Sequence, residues 1–362
     1  YALSQAIESS LLIGIPVSIL GAATAPVVFP LLMNDPLVTS QGAPYYAWRA
    51  LSWFAIMLNF SYRGFFNGVG RPGIYFTVIW IIQIVNILLS YLLIYGYGDL
   101  FPALGVEGAG LGTLIATCLG TLIYTGVAFW FRESHGVFRE FVSPDRRGTM
   151  RGNLLRGSIP AGISGLASSA GFLVFMVIAG MAGRTETAAT AILANLASVT
   201  IMPAMGFGFA AATLVSQSLG AGRPEEAHRW GWWTALTGAV VLGVVGLCFV
   251  VFPCPFIASF TADPDVTELA VMLVVFMGLL LSVDSAGTIL GQALIGAGAL
   301  RAVVLWNLWG MWGFFLPAAW LTGIYWEGGM LGLWLPMFAY RGILAFAMAG
   351  IFYQGRWQNV KL

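Results

Sequence analysis

The sequence predicts an all-α fold: a polytopic helical membrane protein with ten visible spans of a twelve-span, two-lobe architecture built as a 6+6 parallel repeat. Three observations carry this. Apolar residues fill 59% of 362 positions and charged residues only 9%, with a mean hydropathy of +0.86, a balance suited to lipid rather than water. Ten segments are long and apolar enough to cross a ~30 Å hydrocarbon core. A pattern of Asp-Pro, Val-Thr and Gly residues recurs 228 positions along the chain.

The spans run over 9–33, 45–64, 75–97, 108–131, 157–181, 188–214, 230–256, 268–291, 302–323 and 329–353. Helices are required because backbone polar groups in lipid must be satisfied within the segment. Nothing charged occurs between Arg71 and Asp99, Glu107 and Arg132, Arg156 and Arg184, or Glu186 and Arg223. Past Glu268 at its edge, the span 268–291 contains one acid, Asp284, and 329–353 contains one base, Arg341.

Arg and Lys retained in short loops mark the cytoplasmic side. One set of loops holds Arg63, Arg71, Arg132, Arg139, Arg146, Arg147, Arg151, Arg156, Arg223, Arg229, Arg301, Arg356 and Lys361, the opposite set only Arg184. Both visible termini are therefore expected in the cytoplasm, in a plasma membrane of the bacterial inner-membrane type. Arg49, beside Tyr45 and Tyr46, reads as an interfacial snorkelling residue.

"NDPLVTS" (34–40) recurs as "ADPDVTE" (262–268), and the same offset carries "FNGVG" (66–70) onto "LIGAG" (294–298). An offset of 220 aligns "EGAGLG" (107–112) with "EGGMLG" (327–332). Six spans separate the copies, so both have one orientation. The expected organisation is an N-terminal lobe at 1–131 showing the last four of six helices, a cytoplasmic linker at 132–156, a six-helix C-terminal lobe at 157–353 and a tail at 354–362. The spans at 157–181 and 188–214 lack counterparts, which predicts two further helices in the parent protein.

Several chemistries are excluded. The net charge is +1 and the single lysine is Lys361, so there is no phosphate-cradling GxxxxGK[ST] loop and no nucleic-acid-binding surface. His135 and His228 lie in separate loops, and Cys118, Cys248 and Cys254 have no metal-binding spacing. The chain is not expected to be an enzyme, and no cofactor beyond a coupling ion is expected.

Three stretches resemble the multidrug and toxic compound extrusion (MATE) family: "AAATLVSQSLGAGRPEEAHRWG" (210–231), "RGFFNGVGRPG" (63–73), and "NILLSYLLIYG" (86–96) followed by "GVEGAGLGTLIAT" (105–117). The likeness spans the chain from the family's third helix to its twelfth. It implies an antiporter, two lobes around a cavity, that expels amphipathic, often cationic compounds in exchange for Na⁺ or H⁺. Asn86 and Thr113 match the family's N-lobe ion site, where Ser90 replaces its Asp. Asp284 matches the acid on the tenth helix, and Ser168 or Ser169 stands where the seventh carries one. The expected partners are a small-molecule substrate and the lipid bilayer, in a monomer.

An ionised Asp at the bilayer centre costs about 2.5–3.5 kcal/mol, so Asp284 must face a cavity or a partner. Arg341 is the named partner, in a structural salt bridge that competes with an ion-binding role. Asn195 is a candidate cavity residue because Pro203, Gly206 and Gly208 should loosen its helix and free carbonyls. Phe172, Phe175 and Met176 are candidates to stack on a flat cation. The alternative function is a lipid-linked oligosaccharide flippase, whose anionic cargo calls for several bases within the spans; only Arg49 and Arg341 qualify.

Overall fold

The computed structural model describes residues 2–32, 35–97, 102–130, 147–261 and 263–359. They belong to two compact units, Tyr1–Arg156 and Gly157–Leu362. Most of the expected linker, 132–146, with residue 131 before it, and the last three tail residues lie outside the described residues.

In the first unit the helices are α1 (Ala2–Leu32), α2 (Pro36–Leu51), α3 (Trp53–Gly68), α4 (Pro72–Tyr95) and α5 (Val106–Trp130). Asp35 starts α2 by accepting the Leu37 N–H at 2.8 Å, with Pro36 in the first turn where no N–H is needed. The span expected at 45–64 is two helices of 16 residues. Accordingly nine single helices among the described residues, rather than ten, are long and apolar enough to cross a membrane. At the seam the Ser52 N–H is shared between the carbonyls of Trp48 (3.2 Å) and Arg49 (3.1 Å). The Phe54 N–H donates to Ser18 Oγ on α1 at 2.9 Å. A neighbouring hydroxyl thus satisfies the donor that the break leaves over. α1 also begins earlier than the expected 9–33, which brings Glu8 into a helix. Tyr62, Phe66 and Tyr124 are the aromatic centre of this unit, the two tyrosine rings stacking at 5.6 Å.

The second unit comprises α6 (Arg147–Ala182, of which Gly157–Ala182 lies here), α7 (Arg184–Gly220), α8 (Pro224–Val251), the short α9 (Pro253–Ala258), α10 (Pro264–Gly296), α11 (Leu300–Tyr325) and α12 (Gly329–Gln354). α10 is central and packs on α7, α8 and α12. α11 contains two π-helical segments, Trp309–Phe315 and Leu321–Tyr325, on either side of a short α segment that holds Pro317. Proline withdraws an N–H from the helical ladder, and wider turns are one way a helix absorbs that loss.

The 228-residue offset is visible in the backbone. α2 and α3 together cover Pro36 to Gly68, and α10 covers Pro264 to Gly296. Both end in one turn: Gly70 (φ 75°) and Gly298 (φ 84°) are left-handed. The Arg71 N–H reaches Phe66 O at 2.8 Å and the Ala299 N–H reaches Leu294 O at 2.9 Å. This six-to-one bond closes a helix on carbonyls otherwise left open, and it needs a residue without Cβ at the left-handed position. Gly298→Ala is expected to cost about 1–2 kcal/mol, read as a lower melting temperature of the detergent-purified protein; an unchanged melt would show that the turn is not held in this conformation.

Two large apolar clusters lie in the second unit, with a small third one of Ala204, Leu242 and Leu281. One contains Phe175, Leu273, Phe315 and Trp334, the other Leu290, Leu294, Met348 and Phe352. Along α10 the first ends at Met277 and the second begins at Ile289; along α12 the corresponding limits are Tyr340 and Met348. Asp284 lies in the α10 interval and Arg341 in the α12 interval.

Candidate functional site

Asp284 and Arg341 form an ion pair: Arg341 Nη2 donates to Asp284 Oδ2 at 2.6 Å, and the two side chains are 25% and 26% exposed. That is slightly shorter than the about 2.7–2.9 Å usual for a charge-assisted N–H···O bond. The backbones are brought close one turn away. Gly287, three residues after Asp284, sits so near Ala345, four residues after Arg341, that a Cβ on Gly287 would overlap the Ala345 backbone. Small residues at helix contacts are what permit such an approach in membranes.

A pocket of about 150 Å³ opens on one side of the pair. Its walls are three helical stripes: Ala197, Thr200, Ile201 and Ala204 on α7; Met277, Leu280, Leu281, Asp284 and Ser285 on α10; Trp334, Met337, Phe338 and Arg341 on α12. Each stripe repeats at three and four residues, the spacing of one helix face. The Trp334 ring is fixed by its Nε1–H, which donates to Thr190 Oγ1 at 3.3 Å. A second pocket of about 280 Å³ lies on the other side, toward the Arg-rich helix ends, and shares Arg341 and Ile201 with the first. It presents Ser164, Ser168, Thr288, Gln292 and Asn307, with no carboxylate on its walls.

Ser168, an expected site residue, therefore lines the second pocket, its Oγ–H donating to Ser164 O at 2.9 Å. Asn195 lines neither of these pockets; it is exposed, and its Nδ2 donates to Ala191 O at 2.9 Å. The polar residue of α7 that faces a pocket is Thr200, on another face of the same helix. α7 runs as one helix through Pro203, Gly206 and Gly208. Phe175 is fully buried against Phe315 (5.0 Å) and Trp334 (5.7 Å), so it is packing and not a stacking surface. Trp334 and Phe338, buried members of the same cluster, are the aromatic side chains that line the first pocket, and the i, i+3, i+4, i+7 run Trp334, Met337, Phe338, Arg341 is the sequence signal that would have found them.

Asn86 and Thr113 are brought together in the first unit, the amide donating to the hydroxyl at 3.1 Å. Thr113 heads a ladder at intervals of four with Thr117, Thr121 and Thr125, each hydroxyl donating to the carbonyl four residues before it. The Thr121 hydroxyl also lies 3.0 Å from Asn59 Oδ1, so its single proton is shared between that oxygen and Thr117 O, and Thr125 shares a 2.8 Å bond with the Tyr62 hydroxyl. Sequence reading missed Asn59 and the ladder, although the spacing of four is plain. Thr121→Val is expected to lower stability by about 0.6–1.7 kcal/mol, the range for interhelical hydrogen bonds in membranes; thermal unfolding indistinguishable from the parent protein would show that the bond contributes nothing. Among the described residues no group of three His, Cys, Asp or Glu side chains could hold a metal ion.

The family model described as MatE matches residues 1–92 and 160–321. A probable multidrug resistance protein NorM of Thermotoga maritima is 31% identical over 316 residues, covering 84% of this chain and 65% of the relative. The multidrug resistance protein PmpM of Pseudomonas aeruginosa is 28% identical over 349 residues, covering 91% of this chain and 71% of the relative. The chain thus spans about two thirds of the length of the Thermotoga relative. Among solved structures, a MATE protein in complex with MaD3S aligns at TM-score 0.85 and 17% identity, over 98% of this chain and 78% of that one. The eukaryotic MATE transporter AtDTX14 aligns at TM-score 0.79 and 21% identity, over 99% and 78%.

Proposed function

The chain belongs to the MatE family, and on that premise we propose that it acts as a secondary antiporter exporting amphipathic, cationic drugs or metabolites in exchange for Na⁺ or H⁺. One observation carries the reading: an acid, Asp284, is held between two apolar clusters of the second unit at the edge of a pocket with aromatic walls. A carboxylate so placed takes a coupling ion or the cationic group of a cargo, and binding one weakens binding of the other. Such competition, combined with alternating access of two lobes, couples the two fluxes. The multidrug-resistance names of the relatives support the cargo class. Arg341 is already paired with Asp284, so among the described residues the second unit offers no surplus of buried cations to hold a lipid diphosphate, and the flippase alternative is disfavoured. The location proposed is the bacterial inner membrane, multi-pass, as a monomer with both visible termini cytoplasmic, following the Arg asymmetry.

The test is ethidium export by the full-length protein in proteoliposomes under an imposed Na⁺ or H⁺ gradient. Export that follows one gradient and stops when it is collapsed is the expected result. No movement under either gradient would overturn the reading.

A further inference from the structure

The Arg-rich end of α8 carries more hydrogen-bond donors than the protein uses. Two cavities flank Arg229 there. One, of about 590 Å³, is walled by Glu226, Arg229, Trp230, Trp233 and Thr237; the other, of about 310 Å³, by His228, Arg229, Trp232, Trp233 and Leu236. Among the described residues neither the Arg229 guanidinium nor the indole N–H of Trp230 or Trp233 has a protein acceptor. The one carboxylate on these walls, Glu226, pairs with Arg223 at 3.4 Å and not with Arg229. His228 adds a donor to the smaller cavity. Its Nε2 accepts the Trp232 Nε1–H at 3.3 Å, so the ring carries its own proton on Nδ1, which has no protein partner among the described residues. Stacking on Phe352 (5.4 Å) and Trp357 (6.4 Å) holds that ring in place.

Below these donors α8 presents an apolar track. Trp233, Leu236, Val240, Val244 and Leu247 are each more than half exposed, while Gly231, Ala235, Gly238 and Leu242 on the opposite face are buried. Steps of three and four residues keep the exposed set on one helix face. Half of a ~30 Å hydrocarbon core is about 15 Å, or about ten helical residues, so the track covers the depth of one leaflet from Trp233 to about Val244. A ligand for this surface needs a negative group at the helix end and an apolar body that follows the helix into the bilayer. A phospholipid has that form. A zwitterionic headgroup would also bring a cation, and the acid on these walls is engaged by Arg223, so an anionic headgroup is the better match. We propose that this face of α8 is a seat for an anionic phospholipid, with the headgroup phosphate on Arg229 and the Trp233 indole N–H, and the acyl chains along Leu236 and Val240. The seat shares no wall residue with the two pockets beside Asp284 and Arg341, and it does not depend on the antiporter reading.

Dioleoylphosphatidylglycerol and dioleoylphosphatidylcholine test the seat, because they share acyl chains and differ in the net charge of the headgroup. Binding of each to the delipidated, detergent-purified full-length protein is measured by native mass spectrometry, as the dissociation constant of the first bound lipid. The anionic lipid is expected to bind about 5-fold more tightly, the worth of one Arg at an anionic surface. Arg229→Gln should abolish that preference. Arg301→Gln, which removes the same charge from the start of α11, should leave it intact. Equal binding of the two lipids to the unmodified protein overturns the proposal, and that comparison needs no variant to fold. A preference that survives Arg229→Gln, or that falls as far with Arg301→Gln, also overturns it. Inorganic phosphate in excess over the lipid is expected not to displace it; displacement would show a site for soluble anions and overturn the lipid assignment.

Discussion

Asp284→Asn is expected to reduce gradient-driven ethidium export by about 100-fold or more, the equivalent of ~2.7 kcal/mol of lost ion binding. The amide keeps the size of the side chain and removes the charge for which coupling ion and cargo compete. It also leaves Arg341 without its ionic partner, since Arg341 Nη2 donates to Asp284 Oδ2. Breaking a buried pair from one side costs about 3–5 kcal/mol; here each side chain is about a quarter exposed, so the lower end of that range applies. Loss of export through instability is distinguished from loss of coupling by the double variant Asp284→Asn with Arg341→Gln. Replacing both ions removes the stranded charge, so the double variant should melt closer to the parent protein than Asp284→Asn alone, a non-additivity expected of residues in contact. It should still not export. Coupled export by the double variant at the parent rate would remove Asp284 from the mechanism.

A comparably large effect is expected at a residue with no charge. Gly287→Leu introduces a side chain where the Ala345 backbone already lies within overlap distance of a Cβ. α10 and α12 must separate, and the ion pair one turn away separates with them. Overpacking of this kind costs about 1–3 kcal/mol, and export should fall along with the melting temperature. Gly350→Leu on α12 is the control, because a Cβ there meets nothing within 4 Å. If Gly287→Leu melts and exports like the Gly350 variant, the close approach of the two helices is not what positions Asp284 and Arg341.

Much of the fold is legible because lipid imposes a simple rule. A segment that must satisfy its own backbone and present apolar side chains outward can only be a long apolar helix. Nine of the ten expected spans correspond to such helices. The tenth, 45–64, failed as a single helix because Ser52 interrupts the ladder, and nothing in the local sequence states that Ser18, 36 residues away, receives the Phe54 N–H across that break. The recurrence of Gly70 at Gly298 was readable as a repeat; that both are left-handed turn residues, a conformation glycine adopts without strain, came from the backbone.

The site divides along the same line. That Asp284 and Arg341 each require compensation follows from their chemistry alone, since an isolated ion in an apolar span is costly wherever it sits. The face each occupies also follows, from spacings of three and four residues. The sequence by itself therefore determined the helices, their alternating direction and the residues too costly to leave unpartnered. The tertiary structure alone decided that Asp284 meets Arg341 at 2.6 Å, that Thr200 and not Asn195 faces the pocket, and that of the two core aromatics Phe175 and Trp334 only Trp334 lines that pocket. The physical reason is that helix periodicity specifies which residues share a face. Which faces meet depends on contacts such as Gly287 against Ala345, 58 positions apart in the chain, whose partners no local pattern encodes.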